Sequence, residues 1–279
     1  MFADILPSDP AAVAELRFEF RHGQTRLAHL HQKAPLRVLF PDAPEGDIPT
    51  AALVNTGGGL VGGDHLAVTA EAGPWARGLV VAQAAEKAYR SSGPDCVLNV
   101  TLRAESDSWL EWLPQETIVF QGARLRRTTR VEVAPQGRLL AGEILTFGRR
   151  ARGESLTEGL LRDAWEIRRG DRLVWADALH LDGDLAEMLG HAAGFAGATA
   201  CATAIYVADD APNRLELARE LLSEAGEVRC AATVVNGILI LRWLAPDTAP
   251  LRTSFAAFWS AFRVAVAALP GKLPRLWYV

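Results

Sequence analysis

The sequence predicts a mostly β fold, its strands stacked in a helicoid or layered arrangement, with two α-helices in the C-terminal third. Three observations lead there. Apolar and polar residues alternate with a period of two in stretches such as Ala14-Glu15-Leu16-Arg17-Phe18-Glu19-Phe20 and Leu66 to Ala70, the pattern of strands with one buried face. Two late segments instead repeat their apolar residues at helical spacing. Strand and helix segments do not alternate, and no repeat of solenoid type is visible in the residues. We therefore treat 1–279 as one domain, with a β-rich body over 12–208 and a helix, an Asn-Gly hairpin and a second helix over 209–279.

The totals narrow the function. A chain of 279 residues buries a substantial core without staples. A net charge of -4 argues against a dedicated nucleic-acid binder. Cys96, Cys201 and Cys230 are odd in number, far apart and without a C-x-x-C pair, so neither a disulfide framework nor a zinc site is indicated. Met1 to Pro10 lacks the basic start and apolar core of a leader, and no stretch approaches the ~20 apolar residues of a membrane span. A soluble, cytoplasmic protein is expected, binding neither nucleic acid nor membrane.

In order, Ala14 to Phe20, Thr25 to His31 and Leu36 to Phe40 read as strands, and the proline-rich Pro41 to Pro49 as a loop. His29 and His31 share a strand face and are a candidate pair for a divalent ion, with solvent-facing polar residues as the alternative. The glycine-rich run Asn55-Thr56-Gly57-Gly58-Gly59-Leu60-Val61-Gly62-Gly63-Asp64 contains G-x-G-x-x-G. A dinucleotide loop requires a helix next, whereas His65 to Ala70 alternates as a strand; a Walker loop requires Lys and Ser/Thr where Gly63 and Asp64 stand. A tight strand-to-strand turn, with Asp64 bonding nearby backbone amides, fits better.

Leu79 to Ala82 follows, then a strand pair around Val97 to Leu102 and Trp109 to Leu113, with Pro114 to Phe120 extended. Glu111 and Glu116 beside Trp109 and Trp112 raise the alternative of a β-rich carbohydrate hydrolase, which works with paired carboxylates. Arg124, Arg126 and Arg130 share one face of a strand that also carries Arg127, and Arg149, Arg150 and Arg152 form a second basic cluster. Against an acidic whole these are partner-facing or solvated patches. Two carboxylates, Glu143 and Asp177, stand inside apolar runs that read as buried strands, where a charge must be paired or face a wet cavity. Pairing with an arginine and lining a water-filled internal passage are both open.

Gly183 to Gly197 is uninformative. Asp210 to Gly226 reads as a helix capped by Asp209 or Asp210, with Leu215, Ala218, Leu221, Leu222 and Ala225 on one face. Ala232 to Leu241 is a hairpin turning on Asn236-Gly237. Thr253 is expected to cap a second helix with Phe255, Phe258, Trp259, Phe262, Val266 and Leu269 on its apolar face, ended by Pro270-Gly271. This stripe suits a core, and a helix near the C-terminus also suits a docking partner. No G-x-S-x-G or H-E-x-x-H occurs, nor a cysteine with a histidine nearby in sequence.

Five separated blocks, in order over nearly the whole chain, resemble the signatures of the UreD family (also called UreH) of urease accessory proteins. They are Gly58-Gly59-Leu60-Val61-Gly62-Gly63-Asp64; Gln83-Ala84-Ala85-Glu86-Lys87-Ala88-Tyr89-Arg90-Ser91; Leu110 to Ile118, with Pro114-Gln115-Glu116; Gly148-Arg149 to Gly153-Glu154; and Leu273-Pro274-Arg275-Leu276-Trp277. Val80-Val81-Ala82 departs from the threonines frequent there in the family. The resemblance implies a non-catalytic scaffold for nickel insertion into apo-urease. It binds UreF, which recruits the GTPase UreG, and it has no tightly bound cofactor, only transient Ni2+. It also implies a mostly β fold with two helices and a water-filled nickel path. Glu143, Asp177 and Asp64 are the expected lining of such a path, and Phe258 and Trp259 the expected UreF-facing residues.

Overall fold

In a computed structural model, which describes residues 10–222 and 226–278, the chain runs through seventeen strands. These are β1 (Ala12–Arg21), β2 (Gln24–Lys33), β3 (Leu36–Leu39), β4 (Thr50–Asn55), β5 (His65–Ala72), β6 (Arg77–Ala82), β7 (Glu86–Ala88), β8 (Cys96–Ala104), β9 (Trp109–Leu113), β10 (Thr117–Val119), β11 (Arg124–Val133), β12 (Arg138–Phe147), β13 (Leu160–Arg169), β14 (Arg172–Asp182), β15 (Ala200–Val207), β16 (Arg229–Val235) and β17 (Ile238–Ala245). The helices are α1 (Leu185–Gly190), α2 (Leu215–Leu221) and α3 (Thr248–Ala267).

From β4 to β13 the long strands pass alternately between two sheets. One has the order β14-β13-β11-β8-β5-β1-β2; the other runs β16-β17-β15-β12-β9-β6-β4-β3. Within each sheet the successive strands are parallel, β5 to β8 to β11 to β13 and β4 to β6 to β9 to β12. Parallel neighbours need a crossover, and here the strand in the facing sheet supplies it. The chain thus advances in coils, although its residues carry no repeat, because coiling of this kind asks only for alternation of inward apolar side chains. The strands read as a pair around Val97 to Leu102 and Trp109 to Leu113 are β8 and β9, which lie in opposite sheets.

Two apolar layers result. The first fills the space between the sheets, with Leu16, Phe18, Val100, Leu102, Leu125, Leu139 and Phe147 all buried. The second lies on the outer face of the β12-containing sheet, under α2, α3 and the C-terminus. β9 serves both, which is why all five of its residues are buried: Leu110 and Trp112 face the first layer, Trp109 and Leu113 the second. Residues Phe255, Phe258, Trp259 and Phe262 of α3 are at most 1% exposed. Each such side chain contributes about 1.5–3 kcal/mol, so the aromatic stripe is core. Phe258 and Trp259, expected to face a partner, are corrected to interior residues.

Local chemistry moves several boundaries. α3 begins at Thr248 and accommodates Pro250 in its first turn, where no intrahelical N–H is needed. Thr253 is therefore inside the helix, its hydroxyl donating to the Ala249 carbonyl at 3.0 Å. Asp210 does not cap the next-to-last helix. Its carboxylate accepts from Tyr206 (2.8 Å) and Arg214 (2.7 Å), a 3-10 turn spans Ala211–Arg214, and α2 follows. Ala225 lies outside the described residues. The short α1, unexpected in the Gly/Ala-rich stretch, is capped by Asp184, which accepts from the Glu187 amide at 3.0 Å. The Asn236-Gly237 hairpin forms as expected, with φ of 48° and 84°, and extends the sheet beside β15.

Candidate functional site: two cavities that meet at Glu143

The glycine run is the expected strand-to-strand turn, connecting β4 and β5 across the sheets, and the Asp64 carboxylate accepts from the Val61 amide at 2.9 Å. The glycines are needed for close approach. A Cβ on Gly59 would lie 2.6 Å from the Lys87 carbonyl oxygen and collide with the Tyr89 ring. Leu60 bonds across this gap to Lys87 (2.7 Å) and receives the Tyr89 amide (2.8 Å). Tyr89 packs edge-on against Phe120 at 5.0 Å, and the Arg149 guanidinium lies 4.2 Å above Phe120 while paired to Glu154 at 2.5 Å. Arg90 stands 3.7 Å from Glu158. Blocks far apart in sequence are thus knitted into one rim.

Where Leu60 and Lys87 meet, a cavity of about 180 Å³ opens beside these contacts. Gly58, Gln83, Ala84 and Lys87 are its exposed lining; Glu86, Pro114, Gln115 and Thr117 stand along it, and Trp112, Arg127 and Glu143 line it within the sandwich. A second cavity of about 250 Å³ runs from Gly194, Asp177 and Arg242 past Cys201 and Thr203 to Asp163 and, again, Glu143. The two share Glu143.

The junction is a buried ion cluster. Arg127 donates from Nε and Nη2 to the two carboxylate oxygens of Asp163 (2.7 and 2.9 Å), and its Nη2 lies 2.6 Å from Glu143. Its Nη1 donates to Thr117 at 3.1 Å. Glu143 also accepts from Thr129 (3.0 Å) and from the Trp112 indole (3.3 Å). Burial pushes the Glu143 carboxyl up to about 7, the Arg127 guanidinium opposes the rise, and Asp163 adds to it. Burial works against the charge on Arg127, but Asp163 and Glu143 together more than hold it. The folded protein therefore binds the Glu143 proton more tightly than the unfolded chain. The stability that goes with this is present below the ordinary 4.5 and is lost as pH rises through about 7. Glu143→Gln, which cannot ionise, is expected to gain stability relative to the parent between about pH 5 and about pH 8. Parallel urea midpoints across that range would refute this.

Asp177 corrects the sequence reading. β14 is the edge of its sheet, with no strand beyond it to shield its side chains, and the Asp177 side chain, though it lines the second cavity, is 37% exposed and paired to Arg242 at 2.5 Å. Glu143 lies in a buried strand as expected, with a side chain 3% exposed. Asp64 lines neither cavity. Both expected internal carboxylates have an arginine partner and also reach a cavity, so the two readings left open describe the same groups.

Burial pushes the Cys201 thiol up to about 12, so it lines the second cavity as a neutral group. Burial raises Glu86 in the first cavity as well, offset by a hydrogen bond from Asn55. Among the described residues no cluster of three His, Cys, Asp or Glu is placed to hold a metal ion. His29, 3.7 Å from Glu15, and His31 stand on the exposed β2. The two carboxylates expected of a hydrolase are held inside the protein: Glu111 is fully buried and bonded by Trp109 (2.8 Å), Trp259 (2.7 Å) and Arg263 (3.1 Å), Glu116 is held by Arg252 at 3.0 Å, and neither lines either of these two cavities. No described helix is long and apolar enough to cross a membrane.

Asp163 was not singled out in the sequence, Arg127 was named only with its basic cluster and Glu86 only inside a family-resembling block. The signal for Arg127 was present: if Arg124, Arg126 and Arg130 face outward, a period of two turns Arg127 inward. Asp163 and Glu86 had no comparable signal.

Comparison with known proteins adds the last observation. Residues 11–278 match the family model described as UreD urease accessory protein. A urease accessory protein UreD from Magnetococcus marinus is 47% identical over 266 residues, covering 94% of this chain and 92% of its own length. Another from Methylobacterium sp. is 45% identical over 259 residues (91% and 89%), and one from Azorhizobium caulinodans 41% over 255 (91% of each).

Proposed function

Because the chain belongs to the UreD urease accessory protein family, we propose that it is a cytoplasmic, non-catalytic scaffold of urease maturation that conducts nickel toward the apo-urease active site. In this reading it binds UreF directly, reaches the GTPase UreG through UreF, and docks on apo-urease. Nickel is cargo, held transiently.

The observation that carries the reading is the pair of cavities sharing Glu143 between the sheets. A transferred cation needs ligands that release it, and an array of fixed histidines or thiolates would trap it. The linings offer carboxylates already engaged by arginines or an amide, a hydroxyl and a neutral thiol instead. That chemistry favours a conduit over storage at His29 and His31, which predicts tight stoichiometric binding by calorimetry.

The test is reconstitution: the chain purified with UreF, UreG and apo-urease, supplied with nickel and GTP, and urease nickel content measured over time. Glu143→Gln combined with Asp177→Ala is expected to slow nickel incorporation about tenfold, since loss of a tuned metal contact typically costs at least that. Normal nickel content from intact, fully assembled complexes of the variant would overturn the conduit. Fully metallated urease from cells lacking the chain would overturn the maturation role itself.

A further inference from the structure

Between the two cavities the partition is a guanidinium. Arg127 lines the first cavity, Asp163 lines the second, and Glu143 lines both. Arg127 spans the carboxylates, forked onto Asp163 at 2.7 and 2.9 Å and against Glu143 at 2.6 Å, with its remaining terminal nitrogen on Thr117 at 3.1 Å. Its side chain is 5% exposed. An arginine does not lose its charge in proteins, and a planar fork matched to carboxylates is held more rigidly than a lysine would be. A dication moving from one cavity to the other therefore meets a fixed positive charge, and the two carboxylates that would receive it are already occupied.

We propose that Arg127 closes the junction, and that cations pass between the cavities only when its guanidinium leaves Glu143 and Asp163. The proposal rests on the conduit reading above and adds its control point. The first cavity offers the displaced side chain somewhere to go, since Arg127 already lines it, and the Glu86 carboxylate in the same cavity provides a second counter-ion. The outer pair Asp177–Arg242 repeats the chemistry at the far mouth, but with side chains 37% and 53% exposed it is a weak latch. The buried cluster is the tight one.

The experiment uses the complete chain in the reconstituted assembly with nickel as the probe. Arg127→Met with Asp163→Asn removes one charge of each sign and leaves the Glu143 carboxyl in place. Nickel incorporation is expected to rise about fivefold, as a forked charge-assisted clamp is lost. Arg127→Lys keeps the charge, but a compact ammonium cannot span both carboxylates, so the expected rise is smaller, about twofold. Should the double variant fail to assemble, the lysine variant decides. Thr203→Phe fills the second cavity beside Glu143, its cross-strand neighbour, while leaving all three charges of the cluster in place, and so tests the route. If Thr203→Phe stops incorporation while rates in the Arg127 variants are unchanged or lower, the route stands and the closure is overturned. If Thr203→Phe leaves incorporation unchanged, the route itself is wrong and the closure falls with it.

Discussion

Arg263→Leu is expected to be the most damaging single substitution outside the junction, lowering stability by about 3–5 kcal/mol. Arg263 has no exposed surface, and neither do the side chains of its partners Asp47 and Glu111. Its guanidinium bonds both Asp47 oxygens (2.9 and 2.7 Å), Glu111 (3.1 Å) and the Pro270 and Lys272 carbonyls (3.0 and 3.3 Å). One side chain thus ties α3 to β9, to the loop before β4 and to the turn that ends the helix. Without it two carboxylates remain buried with no directly bonded counter-ion, only the nearby charge of Arg77, and that penalty dominates the loss of packing. Adding Glu111→Gln should restore part of the loss, because one of the stranded charges is gone. Urea unfolding of the parent, the single and the double variant measures this. A loss below about 1 kcal/mol, the scale of an exposed pair, would mean that water reaches the cluster.

Gly59→Ala is the second, with an expected loss of about 2–4 kcal/mol from overpacking and backbone strain combined. Its backbone has φ +154°, and the added methyl meets the Lys87 carbonyl and the Tyr89 ring. The carbonyl accepts the Leu60 amide and the Tyr89 hydroxyl donates to the Gly58 carbonyl at 3.1 Å, so neither moves freely. Because this contact borders the first cavity, nickel transfer in the reconstituted assembly should fall together with the melting temperature. By contrast Gly58→Ala, at φ +79° but with open space around the added carbon, should cost about 1 kcal/mol. Equal effects at the two positions would show that packing against Tyr89 does not matter.

Much of the architecture was legible because burial in this molecule is largely one-sided. β5 alternates buried and half-buried residues without a break, and the sequence reading of it as a strand followed directly. What single-strand patterns do not encode is which sheet a strand joins and whether it ends at an edge. That gap explains Asp177, whose apolar neighbours suggested a buried strand when β14 in fact borders solvent. It also explains Glu111: one acid and two indoles on β9, with Glu116 just beyond it, resemble a sugar site until α3 is seen to bond both acids through Trp259, Arg263 and Arg252. The helix starts failed for a different reason, since Thr253 and Asp210 have the chemistry of caps but their side chains are engaged elsewhere. Of the candidate site, Glu143 was found from its charge in an apolar run. Its partners Arg127 and Asp163 come from other strands, and only the fold brings them together.

The alternation along β9 has a further consequence. Glu111 and Trp112 are consecutive, yet one side chain bonds α3 through Trp259 and Arg263 and the other donates to Glu143 at the junction. The strand is a shared wall with a different tenant on each side. Adjacent substitutions in it should therefore separate cleanly: changes at Glu111 register as a loosened helix, and changes at Trp112 as an altered environment for the carboxyl group deep between the sheets.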